Sequence, residues 1–337
     1  MRKDDSDHFN LDEDVIYLNH AAVAPWPIRT ERAVNDFCRE NVTIGSKKYS
    51  HWLQVEAQLK QQVAELINAA SCDEIALVKN TSEALSFVAY GLDWQAGDNI
   101  VTSDEEFPSN MIPWESLSEQ GVAVKKTNLN NVADPTLALI EQIDVSTRLL
   151  TISSVQYASG LRVDIERLGQ ACQKHQVLFC IDAIQSVGAF VFDVQKTQAD
   201  FVMADGHKWM LGPEGLGFFY CKKSVMDKLK LTQFGWHMVE DMGNYDSPVW
   251  EAAQSARRFE CGSPNMLSIH ALSASLSLLL EIGIEQVSKS IVQRGQYVID
   301  KVAANRQLSL LSKPNPDGNN IVVFKLAQGN TALLFDY

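Results

Sequence analysis

Two stretches decide the fold: VLFCIDAIQSVGA, residues 177–189, and DFVMADGHKWMLGPEGLG, residues 200–217. Each opens on a near-continuous apolar run, VLFCI and then FVMA, the signature of a strand covered on both faces rather than of a half-exposed one. The first run closes on a single charge, Asp182. A carboxylate at a buried strand end is costly unless a cation or a strong donor meets it, so Asp182 needs a partner. The second run leads into Asp205, Gly206, His207, Lys208 and Trp209, then Gly212, Gly215 and Gly217. A lysine at the mouth of a sheet, backed by Trp209 and Met210, has its ammonium form disfavoured by desolvation and becomes a usable amine nucleophile. The glycines let the backbone turn tightly and approach a ligand closely. Their order is GxxGxG, however, and not the GxGxxG that opens a dinucleotide-binding helix.

The same alternation extends outward. Strand patterns EIALVK (74–79), NIVTS (99–103) and RLLTISS (148–154) are separated by helical ones, WLQVEAQLKQQVAELINAA (52–70) and SEALSFVAYGL (82–92), which makes the chain α/β with a mostly parallel sheet. From about residue 265 the pattern changes to long helices (266–287 and 290–304) and a final strand NIVVFKLA (320–327), where a second, smaller unit is expected to begin. With 337 residues, 46% hydrophobic and 21% charged, the chain reads as globular throughout. Its net charge of -13 repels phosphate backbones and anionic lipid, so neither nucleic acid nor a membrane surface is expected as a partner. The run ALSASLSLLL is about half the ~20 residues that a membrane span needs, and the acidic start MRKDDSDHFNLDEDV lacks an apolar signal, so the cytoplasm is expected. Six scattered cysteines without a CxxC pair, and seven histidines without HExxH, support neither a disulfide framework nor a metal site.

In a parallel sheet, ligands sit beyond the carboxyl ends of the strands. There, besides Asp182 and Lys208, lie Asn80, Thr81, Ser82 and Glu83, a capped helix start whose free amides and two hydroxyls suit a phosphate. Phe107, past the strand NIVTS, could lay a ring over a flat ligand. The loop FECGSPN, 259–265, offers Ser263 and its amides as a second anion contact.

In order and spacing these strings resemble the class V aminotransferase family of pyridoxal phosphate enzymes, which also contains cysteine desulfurases, kynureninases and epimerase-like proteins. The resemblance runs from YLNHAA (17–22) to about residue 285, and its specific core is IDAIQSVGA followed by the lysine of DGHKW, 26 positions after Asp182. It implies an aspartate aminotransferase-like (fold type I) architecture, with a large cofactor-binding unit over residues 16–270 and a small unit from residues 1–15 plus 271–337. It implies pyridoxal 5'-phosphate as cofactor, Lys208 as the Schiff-base lysine and Asp182 as the partner of the pyridinium nitrogen. Thr81 and Ser82 would hold the phosphate, His207 would assist beside the lysine, Gln185 would reach the ring hydroxyl and Phe107 would stack on the ring. Either Ser154 or Gln156 would supply another contact to that hydroxyl. Ser263 would cross to a neighbouring subunit's cofactor, which implies a homodimer with shared sites. The implied activity is aminotransferase-like chemistry, transferase or lyase, on an amino acid substrate; the alternatives are cysteine desulfurase or kynureninase/epimerase-like lyase activity, or a non-catalytic scaffold that keeps the cofactor pocket. Asp205 stands where the family often has Ser and is not expected to hold the phosphate. The family also continues past a strand like NIVVFKLA to supply a substrate-binding arginine and the desulfurase cysteine, so the text ending at Tyr337 reads as a shortened chain. Arg29, Arg162, Arg257 and Arg258 are expected in structural ion pairs.

Overall fold

The computed structural model describes residues 8–329. Seven strands form the central sheet: β1 (Ile75–Val78), β2 (Asn99–Ser103), β3 (Ala123–Thr127), β4 (Thr147–Ser153), β5 (Leu178–Asp182), β6 (Phe201–Asp205) and β7 (Gly217–Cys221). Their order is β1-β7-β6-β5-β4-β2-β3, and only β7 runs against its neighbours, so the sheet is mostly parallel. Alternation along the strands shows why both faces must be covered. In β5, Phe179 and Ile181 enter one core while Leu178 and Cys180 enter the other, and β6 and β7 divide in the same way.

The first face is closed by α2 (Tyr49–Leu66) and α5 (Met266–Ile282), the second by α3 (Thr81–Gly91) with Trp114 and Phe259. Helix α1 (Ile28–Ile44) lies on α5, tied by Arg29 to Glu281 and by Thr30 to Ser275 at 2.6 Å. A further helix, α4 (Ile165–His175), precedes β5. Leu272, Leu276 and Leu279 of α5 share the core of the sheet residues, and Phe9 packs against it too. A boundary between 270 and 271 would therefore cut α5 in the middle of the main core. The chain instead turns by 83° at Gly283 (φ +86°) into α6 (Ile284–Ala304), which leads to a two-stranded antiparallel pair, β8 (Leu308–Leu310) and β9 (Phe324–Leu326). No single described helix is long and apolar enough to cross a membrane.

Beneath the sheet a buried ionic cluster joins α2 to the later chain. The Lys60 ammonium lies 3.1 Å from Glu56 and 2.8 Å from Glu260, and His237 faces Glu260 at 3.3 Å. Burial pushes Lys60 down, but the two carboxylates outweigh it and hold the lysine above its ordinary value. Glu56, His237 and Glu260 are grouped like metal ligands, yet the cation position between the acids is taken by Lys60. Removing that charge strands two buried carboxylates, so Lys60→Met is expected to lower stability by roughly 3–5 kcal/mol. Urea melts at pH 7.5 check this, and a change below 1 kcal/mol would contradict it.

Candidate active site

The carboxyl ends of β1, β5 and β6 converge on a cavity of about 420 Å³, lined by Thr81, Phe107, Asp182, Gln185, His207 and Lys208 among others. The two deciding stretches meet there because their loops touch. A Cβ on Gly188, whose φ is +91°, would lie 2.3 Å from the Trp209 carbonyl oxygen, so only glycine lets the Asp182 loop pass the Lys208 loop. Asp182 is 3% exposed, and one carboxylate oxygen accepts from the Ile184 N–H at 3.0 Å. Burial pushes its carboxyl up to about 7; the Ile184 N–H opposes this and the nearby Glu106 carboxyl adds to it. Lys208 is lowered by burial, against the pull of Asp182 and Asp205, which enlarges its neutral amine fraction. Its Nζ stands 5.8 Å from the centre of the Phe107 ring, and Tyr157 meets that ring edge-on at 5.1 Å.

Helix α3 begins as the sequence suggests. Asn80 accepts from the Glu83 N–H at 2.9 Å, and the Glu83 carboxylate accepts from the Lys79 N–H at 2.7 Å. Thr81 Oγ1 is buried at the cavity without a hydrogen-bond partner. The Thr81 N–H donates to Asp205 at 2.9 Å, and Ser82 turns its hydroxyl to Ser109 at 2.8 Å. Of these two serines it is Ser109 that lines the cavity. His207 is lowered by burial and by Lys208; its Nδ1 lies 3.6 Å from Asp205 without a hydrogen bond.

Three expected contacts are differently placed. Gln185 reaches the cavity wall, but its amide is committed: Oε1 accepts from Trp209 Nε1 at 2.8 Å and Nε2 donates to the Ala21 carbonyl at 2.9 Å. Neither Ser154 nor Gln156 lines the cavity, since Ser154 is paired with Ser186 at 2.6 Å and Gln156 donates to Glu106 at 2.6 Å; their neighbours Ser153 and Tyr157 line it instead. Ser263 is exposed on its loop and away from this cavity. Arg29 and Arg258 form ion pairs, with Glu281 and Asp227. Arg162 and Arg257 donate to backbone carbonyls rather than to acids. Among the described residues no arginine lines the cavity.

A family model described as aminotransferase class-V matches residues 16–337, nearly the whole chain. The chain belongs to this family. A probable cysteine desulfurase of Methanothermobacter thermautotrophicus is 36% identical over 282 residues, spanning 82% of this chain and 69% of that protein. Among solved structures, an apo cysteine desulfurase of Thermococcus onnurineus aligns over 96% of this chain and 82% of its own, with TM-score 0.81 and 26% identity. C-DES, solved as a lysine-to-alanine mutant with glycine covalently linked to its PLP cofactor, aligns over 94% of this chain and 84% of its own, with TM-score 0.86 and 23% identity, and shares the fold.

The cofactor of this enzyme family is pyridoxal 5'-phosphate, and the cavity fits it. It offers an amine with a lowered pKa (Lys208), a buried acid that lacks a directly bonded cation (Asp182), a flat aromatic cover (Phe107), and an unpartnered hydroxyl at a helix start (Thr81). Sequence reasoning missed Glu106, which is buried under the cavity and accepts from the Ser153 N–H and hydroxyl, Asn110 and Gln156. Its position beside Phe107 and the donor Asn110 in DEEFPSN was visible; the other three donors come from Ser153 and Gln156 and were not.

Proposed function

We propose that this chain is a pyridoxal phosphate-dependent lyase that breaks the carbon–sulfur bond of a cysteine-type amino acid, with Lys208 and Asp182 as its catalytic pair. The observation that carries this reading is the convergence of those two residues on one cavity, in a chain whose relatives include probable cysteine desulfurases. When bound, the cofactor supplies an electrophilic aldehyde and an electron-withdrawing ring. Lys208 would provide the amine that holds the cofactor, and the same amine would serve as the base for the substrate's α-proton. Asp182 would face the ring nitrogen and favour its protonated form; burial raises the Asp182 carboxyl, and a cation beside it would lower it again. Phe107 covers the ring, Thr81 Oγ1 and the start of α3 meet the phosphate, and the Gln185 amide fixes Trp209 and the 19–22 segment beside Lys208. Phe107→Ala is expected to weaken cofactor binding by about 0.5–1.5 kcal/mol, up to roughly tenfold, through lost stacking. Fluorescence titration of the full chain measures this, and an unchanged affinity would contradict it.

Among the described residues none of the six cysteines lines the cavity. Ser263 is assigned to a partner's cofactor in a homodimer, a reading supported by the exposed aromatics Phe234, Tyr245 and Trp250 in the segment before it. Incubating holoenzyme with cysteine and with cystine, then assaying sulfide, pyruvate, ammonia and alanine, tests the activity. Sulfide with pyruvate and ammonia is expected from cysteine, and cysteine persulfide with pyruvate and ammonia from cystine; formation of a keto acid that retains the sulfur would make the enzyme a transaminase.

A further inference from the structure

The start of α3 already holds an anion. One oxygen of Asp205 accepts the Thr81 N–H at 2.9 Å, at the helix end that is assigned to the cofactor phosphate, while the neighbouring Thr81 Oγ1 is buried and unpartnered. Asp205 is 9% exposed and lines the cavity. Gly217 leaves room for it: a Cβ there would lie 2.8 Å from that same oxygen. An ionised carboxylate and a phosphate dianion would compete for one amide and repel each other. A neutral carboxylic acid removes the conflict, because its O–H can donate to the phosphate while the other oxygen keeps the Thr81 N–H.

We propose that Asp205 is a proton-gated member of the phosphate site, accepting one proton from solvent when a phosphate ester binds and then donating a hydrogen bond to it. The groups that face Asp205 set the balance. Burial and the Glu214 carboxylate disfavour its charged form and prevail over the Thr81 N–H, Lys208 and the nearby Thr81 side chain, holding the free carboxyl at about 7. His207, 3.6 Å away, is itself lowered, and Asp182 adds a like charge across the cavity. A phosphate dianion raises Asp205 further, so proton uptake is largest just above neutrality. Phosphate-ester affinity then falls as pH rises, by up to tenfold per unit.

This inference rests on the assignment of the α3 start to the cofactor phosphate. The test uses the full chain stripped of cofactor and titrated calorimetrically with 4'-deoxypyridoxine 5'-phosphate, which has no aldehyde and cannot bond to Lys208. Heats in buffers of different ionisation enthalpy count the protons taken up at pH 8. The wild-type chain is expected to take up close to one proton more than Asp205→Asn, and its affinity to fall relative to that variant as pH rises from 6.5 to 8.5. Asp205→Ser is expected to behave like Asp205→Asn, and thermal melts confirm that both are folded. Equal proton counts with parallel affinity profiles would overturn the role of Asp205 and leave the phosphate assignment intact. Binding of the probe no tighter than unphosphorylated 4'-deoxypyridoxine would defeat the phosphate assignment itself.

Discussion

Lys208→Ala is expected to cut the rate of sulfur release by at least about 10³-fold, because in the proposed mechanism one side chain serves as both the covalent nucleophile and the proton-transfer base. The loss should be in chemistry rather than in folding. Lys208 forms none of the ion pairs found among the described residues, and its removal takes a desolvated cation out of the cavity wall. Added methylamine should restore part of the rate, since a small amine can occupy the vacated space beside Phe107 and Asp182. Rates followed by sulfide assay with and without methylamine check this. A variant that retains more than a tenth of the wild-type rate would remove Lys208 from the mechanism.

Asp182→Asn is expected to move activity and stability in opposite directions. Activity should fall by roughly 10²–10³-fold, the usual cost of losing one preorganised electrostatic contact at a site of developing charge. Stability of the cofactor-free chain should rise at alkaline pH. The carboxyl titrates near 4 when unfolded and is held at about 7 when folded, so the folded state binds the extra proton between those values. Below pH 4 the acid is neutral in both states and costs nothing. As pH rises toward 7 the folded chain loses stability through this group, and above 7 the full cost of the buried carboxylate is present, of the order of 2–4 kcal/mol. The amide avoids that cost. The variant without cofactor should therefore melt higher than wild type at pH 8 and equal it at pH 4. A variant less stable than wild type at pH 8 would show that the carboxylate is well satisfied without a ring cation.

Much of this fold is legible in the sequence wherever strands are buried on both faces. The apolar runs of β1, β2, β4, β5 and β6 stand where periodicity places them. β3 was missed because it is an edge strand, AVKKT, whose lysines reach solvent and leave no alternation to detect. β7, GFFYC, is a fully buried run, but it follows the glycine-spaced string directly and reads as part of that loop. The expected terminal strand narrows to Phe324–Leu326, since Ile321 is drawn instead against Val155, Ala189 and Phe190.

The site divides along similar lines. That Asp182, Lys208, Thr81 and Phe107 meet at one cavity could be anticipated because each lies at or a few residues past the carboxyl end of a strand, and topology alone brings such positions together. The hydrogen bonds of Gln185 and Ser82 were not legible, because their partners Trp209, Ala21 and Ser109 depend on side-chain direction across loops. Asp205 looked like a misfit beside a phosphate; its bond to the Thr81 N–H is a tertiary fact 124 positions away in the chain.

The most direct test is to reduce the purified holoenzyme with borohydride, digest it and locate the phosphopyridoxyl group by mass spectrometry. The label is expected on Lys208, in the peptide that contains DGHKWMLG, with loss of the visible absorbance band. A label on any other lysine, such as Lys79 beside α3, or a cofactor that remains unreduced and dialysable, would contradict the account.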